Sequence, residues 1–207
     1  MFNSVILIPS YFSPISQYVA CLKAESVLFE IEDNFQKQTY RNRCYIMVTN
    51  GRQMLNIPVK HHNASRKTHD VLIDHSMNWQ KVHLKSLQTA YRASPYFEFY
   101  EDSIQHIYES NHKYLLDLNL YCHEQLTSLL NLTIPIVKTK EYHKKYTDIT
   151  DLRSLADAKL ELQFGFEPYF QVFSAKQGFI ENLSILDLLF MEGPNAVDYL
   201  KRQTLKL

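Results

Sequence analysis

"VILIPSYFSPISQYVACLKAESVLFEIE" (5–32) decides the fold class. Its first five residues, "VILIP" (5–9), form a continuous apolar run stopped by Pro9, which reads as a short buried strand. Over 14–24, Ile15, Tyr18, Val19 and Leu22 recur at helical spacing, and Pro14 suits a helix start. "SVLFEIE" (26–32) is a second strand. Strand, helix and strand in so short a span make a βαβ unit, so the two strands are expected to be parallel.

Downstream, "RCYIMV" (43–48) and "QMLNIPV" (53–59) flank "TNGR", and Asn50-Gly51 predicts a type I′ hairpin turn because both residues tolerate positive φ. A polar loop follows over 60–70, and "VLIDH" (71–75) reads as a further short strand. From residue 76 the pattern turns helical. Trp79, Val82, His83, Leu87, Ala90 and Tyr91 share one face of a helix that ends before Pro95. "EFYEDSIQHIYES" continues as a second helix, and 113–131 is a long third one. "TIPIVKT" (133–139) has the character of a strand returning to the sheet, whereas 140–181 reads as irregular. A helix over 183–193 closes at Gly193-Pro194, and a short one over 195–202 follows. The expected architecture is α/β: a mixed sheet of about five strands, with an N-terminal βαβ unit and a hairpin, and a helical second half packed on it. We expect a single domain over 1–207, sheet-forming over 1–75 and mainly helical over 76–207.

Composition narrows the function. Twenty-two basic residues balance 22 acidic ones, so no net field attracts a nucleic acid or an anionic membrane. Only 4 residues are Gly, and neither GxGxxG nor a P-loop is present, so the usual phosphate-cradling loops are not built. Hydrophobic residues make up 45%, enough for a substantial core. The N-terminal apolar run is only four residues long with no basic residue before it, so neither a signal peptide nor a transmembrane helix is expected. Cys21, Cys44 and Cys122 are odd in number and show no CxxC spacing, which fits a reducing cytoplasm. His61, His62, His69 and His75 lie close in sequence, but no pair has i,i+4 helical spacing, and no metal site is expected. No cofactor is indicated.

Parallel strands in an open α/β sheet bind ligands beyond their carboxyl ends. The segment after strand 2 is "NFQKQTYRNRCYI" (34–46), basic and polar before it becomes a strand. It is either a solvated strand entry or one wall of a binding site. With the loop after strand 1 it brings Tyr11, Phe12, Lys37, Gln38, Asn42 and Arg43 toward one mouth, where Arg offers bidentate contact to an oxyanion and Lys a point charge. Glu30, Glu32 and Asp33 end strand 2; Glu32 reads as an outward position of an alternating strand, and Glu30 stays open between that and a working carboxylate. His83, one turn after Trp79, is the best single general-base candidate, against the ordinary alternative of a satisfied core histidine. Asp187, three residues after Ser184, has N-terminal capping spacing; the other reading is an inward acid on an apolar helix.

"IPSYFSPISQY", "KQTYRNRCYI", "NGRQMLNIPV", "NWQKVHLKSLQTAYRASPYFEFY" and "NLSILDLLFMEGP", in that order, resemble the WbqC-like family, in particular its shorter, Bacteroidetes-type members. The set is specific, although each motif alone is weak. Two departures stand out: Ile8 occupies the position before the proline where the wider family usually has Gln, and the stretch over about 148–180 is short. They put in question any functional group those regions supply elsewhere. Tyr11, Phe12, Asn42, Arg43, Trp79, His83, Tyr91 and Asp187 fall on the family's motifs. The resemblance implies an association with surface-polysaccharide (O-antigen type) gene clusters and action on a sugar or nucleotide-sugar intermediate. On that basis an enzyme, a group transferase, is the first reading. Arg43 and Lys37 would hold an anionic substrate, Asn42 would orient it and His83 would move a proton. The second is a non-catalytic accessory protein of the same pathway, meeting a protein partner through 96–108. The third, a nucleic-acid binder using "KQTYRNRCY", is disfavoured by the zero net charge.

Overall fold

A computed structural model describes residues 1–60, 67–160 and 162–206. The N-terminal βαβ unit forms as expected. Strand β1 (Phe2–Leu7) pairs in parallel with β2 (Ala24–Phe29), with Phe2 opposite Ala24 and Leu7 opposite Phe29. Val5, Ile6 and Leu7 lose all contact with solvent, because a parallel strand with elements on both faces has no wet side. The crossover helix α1 (Ile15–Leu22) is preceded by Pro14 at φ −65° and is buried over its first seven residues.

Two short strands complete the sheet. β5 (Ile136–Lys138), at the returning segment read from "TIPIVKT", runs parallel to β2, and β6 (Thr150–Asp151) runs parallel to β1 on its other side. The order β5-β2-β1-β6 is parallel throughout. β3 (Arg43–Val48) and β4 (Gly51–Asn56) form the expected antiparallel hairpin, which stands as a separate two-stranded sheet. Its turn differs in detail from type I′. Val48 faces Gly51, so Thr49 and Asn50 span the loop, and the positive φ falls on Gly51 (+108°) and not on Asn50. "VLIDH" contributes only isolated bridges, Val59 with Ile73 and Leu72 with Tyr114.

The second half is helical: α2 (Trp79–Tyr91), α3 (Phe97–Glu109), α4 (Leu115–Leu129), a single turn α5 (Ser174–Gln177), α6 (Ile185–Glu192) and α7 (Ala196–Arg202). Trp79, His83, Leu87, Ala90 and Tyr91 form the buried stripe of α2, while Val82 turns outward. α6 is buried over Ile185–Met191, capped by Ser184, whose Oγ accepts from the Leu186 N–H at 3.3 Å. Gly193 stops it at φ +50°; a Cβ there would lie 2.5 Å from the Tyr96 ring. Buried apolar side chains from both halves form one contiguous cluster, with Tyr11, Tyr18, Tyr91, Phe97 and Phe190 among its largest members. Among the described residues no helix is long and apolar enough to cross a membrane.

Candidate functional site

A cavity of about 560 Å³ opens at the carboxyl edge of the parallel sheet. Each wall follows from the topology. Ile8 comes directly after β1, Glu32 and Asp33 follow β2, and Asp151 and Arg153 stand at the end of β6. The stretch after β2 supplies Asn34, Gln36, Thr39 and Arg41, while Lys67, Tyr142 and Asp157 close the sides. Backbone bridges from Asn34 to Lys67 and from Thr39 to Asp157 hold these segments together. The 34–46 stretch is thus a cavity wall over its first half and a strand over its second.

Two charged networks form the walls. Arg41, 3% exposed, gives Nη2 to Asp33, whose other oxygen accepts from Thr68 Oγ1 at 2.5 Å. Burial pulls the Arg41 guanidinium below its ordinary pKa, and the Asp33 carboxylate opposes that shift. Asn119 Nδ2 donates to the carbonyls of Arg41 (2.8 Å) and Pro9 (3.2 Å), fastening this wall to the loop after β1. Lys67 Nζ donates to the Glu32 carbonyl at 2.5 Å.

The second network centres on Glu30, which is fully buried just past β2. Its carboxylate accepts from Thr139 Oγ1 (2.9 Å), the Glu32 N–H (3.0 Å), Tyr146 OH (3.4 Å) and Arg153 Nη1 (3.5 Å). Arg153 also grips Asp151 in bidentate fashion, at 2.9 and 2.6 Å, and donates to the carbonyls of His143 and Lys144. The hydrogen bond with Asp151 raises the Arg153 pKa and, seen from the other side, holds the Asp151 carboxyl below its usual range. One guanidinium therefore pins the irregular 140–149 segment against the sheet edge.

The other residues singled out from the sequence lie in different places. Lys37 and Gln38 are exposed, Gln38 at φ +61°. Asn42 is buried and donates to Asn56 Oδ1 (3.1 Å) and the Ile57 carbonyl (3.0 Å). Arg43 begins β3 and is partly buried. Tyr11, Phe12, Trp79 and His83 do come together, in an aromatic cluster and not in the cavity lining. The Tyr11 hydroxyl lies 3.0 Å from His83 Nδ1 and donates to Tyr108 OH at 2.9 Å. Burial lowers the His83 pKa from 6.5 to about 4, partly opposed by a backbone hydrogen bond at Asn56. Asp187 is the inward acid of the two alternatives. It accepts from Tyr91 OH (2.6 Å), Tyr169 OH and Gln171 Nε2 (3.1 Å), and burial raises its pKa against those hydrogen bonds. Of the clustered histidines, His61 and His62 lie outside the described residues. His69 faces Glu32 and Asp70, while His75 contacts the His112 carbonyl.

Sequence reasoning passed over Arg41, Lys67, Asp151, Arg153 and Asp157. For Arg41 a signal existed, since it stands between Lys37 and Arg43 in the basic stretch after strand 2. Asp151 ends a two-residue strand and Arg153 opens the single 3-10 turn after it, both too short to carry a periodicity to read.

A family model described as the WbqC-like protein family matches residues 9–163, a span that holds every cavity residue named above except Ile8. The uncharacterized protein Rv1507c of Mycobacterium tuberculosis is 28% identical over 205 residues, covering 84% of this chain and 87% of that protein. No solved structure matches the chain. With three-quarters of its length inside the family model, the chain belongs to the WbqC-like protein family.

Proposed function

We propose that the protein binds a sugar or nucleotide-sugar intermediate of surface-polysaccharide synthesis in the carboxyl-edge cavity and acts on it as a group transferase. The observation that carries this reading is the cavity's lining. Carboxylates of Glu32 and Asp157 are acceptors for sugar hydroxyls, and Arg41, Lys67 and Arg153 are donors for an anionic group, all on one wall system of about 560 Å³. That volume lies within the range of about 300–1,000 Å³ usual for small-molecule sites, at the sheet edge where α/β folds place them. In this reading His83 supports the site by holding Tyr11, in the loop after β1, and does not itself move a proton.

Thermal shift against nucleotide sugars, sugar phosphates, acyl-CoAs and aminoacyl donors tests the proposal. A ligand at a hundred times its Kd stabilises the fold by about 2.7 kcal/mol. A nucleotide sugar is expected to raise the Tm of the wild type and to lose that effect in Asp157→Ala. If no sugar-bearing compound shifts the Tm, or the shift survives Asp157→Ala and Arg153→Gln alike, the reading fails. A second reading, an accessory protein that meets a partner, is favoured by one feature: Phe99 on α3 is 78% exposed, with Tyr96 beside it at 6.2 Å. Capture of another pathway protein that is lost in Phe99→Ser, without ligand binding by the cavity, supports that alternative.

A further inference from the structure

We propose that Arg41 is the oxyanion receptor of the cavity, taking a phosphate or carboxylate group of the ligand on the guanidinium donors that Asp33 leaves open. The inference rests on the cavity being the substrate site and deepens that reading by naming the group recognised and the residue that takes it. Three observations converge. Arg41 lines the cavity and is 3% exposed, so its charge has been taken out of water. Among the described residues its guanidinium has one side-chain partner, Asp33, through Nη2 alone, and its buried Nε has none. A buried guanidinium with an unmet N–H is costly unless something completes it, and a planar fork is shaped to take two oxygens of one oxyanion.

The third observation is the support behind it. Asp33 is held by Thr68 Oγ1 at 2.5 Å, and the Thr68 N–H donates to the Asp33 carbonyl at 2.9 Å. The Arg41 backbone is tied to α4 by Asn119. Asp33, Thr68 and Asn119 are positioning residues that fix the guanidinium before a ligand arrives. Arg153 lacks this character, since Asp151 already occupies it in bidentate fashion. The carboxylates of Asp157 and Glu32, which also line the cavity, repel a bare ion but accept hydroxyls. A molecule carrying both an oxyanion and hydroxyls therefore fits better than inorganic phosphate alone.

Nitrogen-15 NMR of the Arg41 side-chain Nε–H in the intact wild-type chain tests this, the signal being identified by its loss in Arg41→Lys. Inorganic phosphate, uridine diphosphate, glucuronate and, as a neutral control, glucose are titrated at constant ionic strength. The expected result is a saturable shift with the anions and none with glucose. Uridine diphosphate acting at lower concentration than glucuronate assigns the group to phosphate, and the reverse order to carboxylate. Arg41→Lys keeps the charge but loses the fork, and is expected to weaken binding of the preferred anion at least tenfold. An Nε signal unmoved by all three anions overturns the inference. So does a folded Arg41→Lys protein that binds the preferred anion with wild-type Kd. If that variant does not fold, the Nε signal is assigned through its connection to the Arg41 backbone resonances, and the wild-type titration decides alone. Nucleotide sugars that bind wild type and Arg41→Lys equally leave the proposed function standing while removing Arg41. Anions that move the Nε signal when no sugar compound binds do the opposite.

Discussion

Acidification from about pH 7.5 to about pH 5 probes the burial of His83 and His123. Both are nearly out of solvent, at 4% and 8% exposure, and burial lowers each pKa from 6.5 to about 4. As the pH falls through 6.5 the unfolded chain takes up these protons while the folded chain does not, so stability drops across the window from 6.5 down to about 4 and then levels. At about pH 5 each histidine removes about 2 kcal/mol, and the two together about 4 kcal/mol. The side chains around His83, namely Tyr11, Trp79 and Tyr108, carry no charge in this range. Asp187 works in the opposite sense: its raised pKa lets the folded state bind a proton first, which offsets part of the loss at the acid end. Urea unfolding followed by circular dichroism at several pH values measures the slope. His83→Gln does not titrate, so its loss over the same range is expected to shrink to about half. It also gives up the Tyr11 contact, at a cost of about 1–3 kcal/mol at neutral pH. A flat wild-type profile, or an identical slope in His83→Gln, refutes the burial argument. A folded variant that turns over as fast as wild type at saturating ligand fits a supporting role. Turnover lost by about 10²–10⁴-fold without loss of stability would restore His83 to the chemistry.

Glu30→Gln keeps the side chain's size but removes the charge that Arg153 and Tyr146 meet at the sheet edge. Hydrogen exchange over 140–153 is expected to accelerate while α6 stays protected, with about 1–3 kcal/mol lost overall; unchanged exchange there would show that Asp151 alone holds Arg153. Gly193→Ala places a Cβ 2.5 Å from the Tyr96 ring on a backbone at φ +50°. The strain alone costs about 1–3 kcal/mol, and a Tm equal to wild type in a melting experiment would contradict it.

The elements legible in the sequence are those whose side chains declare their own surroundings. The apolar run of β1 announces a strand covered on both faces, and the stripe Trp79–His83–Leu87–Ala90 announces one helix face against a core. Even β5 was readable, because the apolar residues of "TIPIVKT" need a sheet to cover them. The hairpin was readable from Asn50-Gly51, although which residue takes the positive φ depends on the register between β3 and β4. That the hairpin stands apart from the parallel sheet left no trace, since edge pairing is a matter of backbone placement and not of side-chain pattern.

Location of the cavity followed from local pattern: once β1 and β2 are parallel, their carboxyl ends share an edge. Which residues face it did not follow. Arg41 and Arg43 sit two residues apart with the same chemistry, yet one lines the cavity and the other enters β3. Long-range contacts separate them. The Tyr40 carbonyl accepts from the Tyr11 N–H, Thr39 bridges to Asp157, and Asp33 takes the Arg41 charge. His83 and Asp187 were marked by chemistry that is polar on an apolar face, and tertiary packing gave each its partners in the core. The second network on the cavity wall, Asp151 and Arg153, comes from a segment without periodicity that is ordered by Glu30, more than a hundred residues earlier. A sequence pattern records what each residue needs around it; only the folded chain settles which distant residue supplies it.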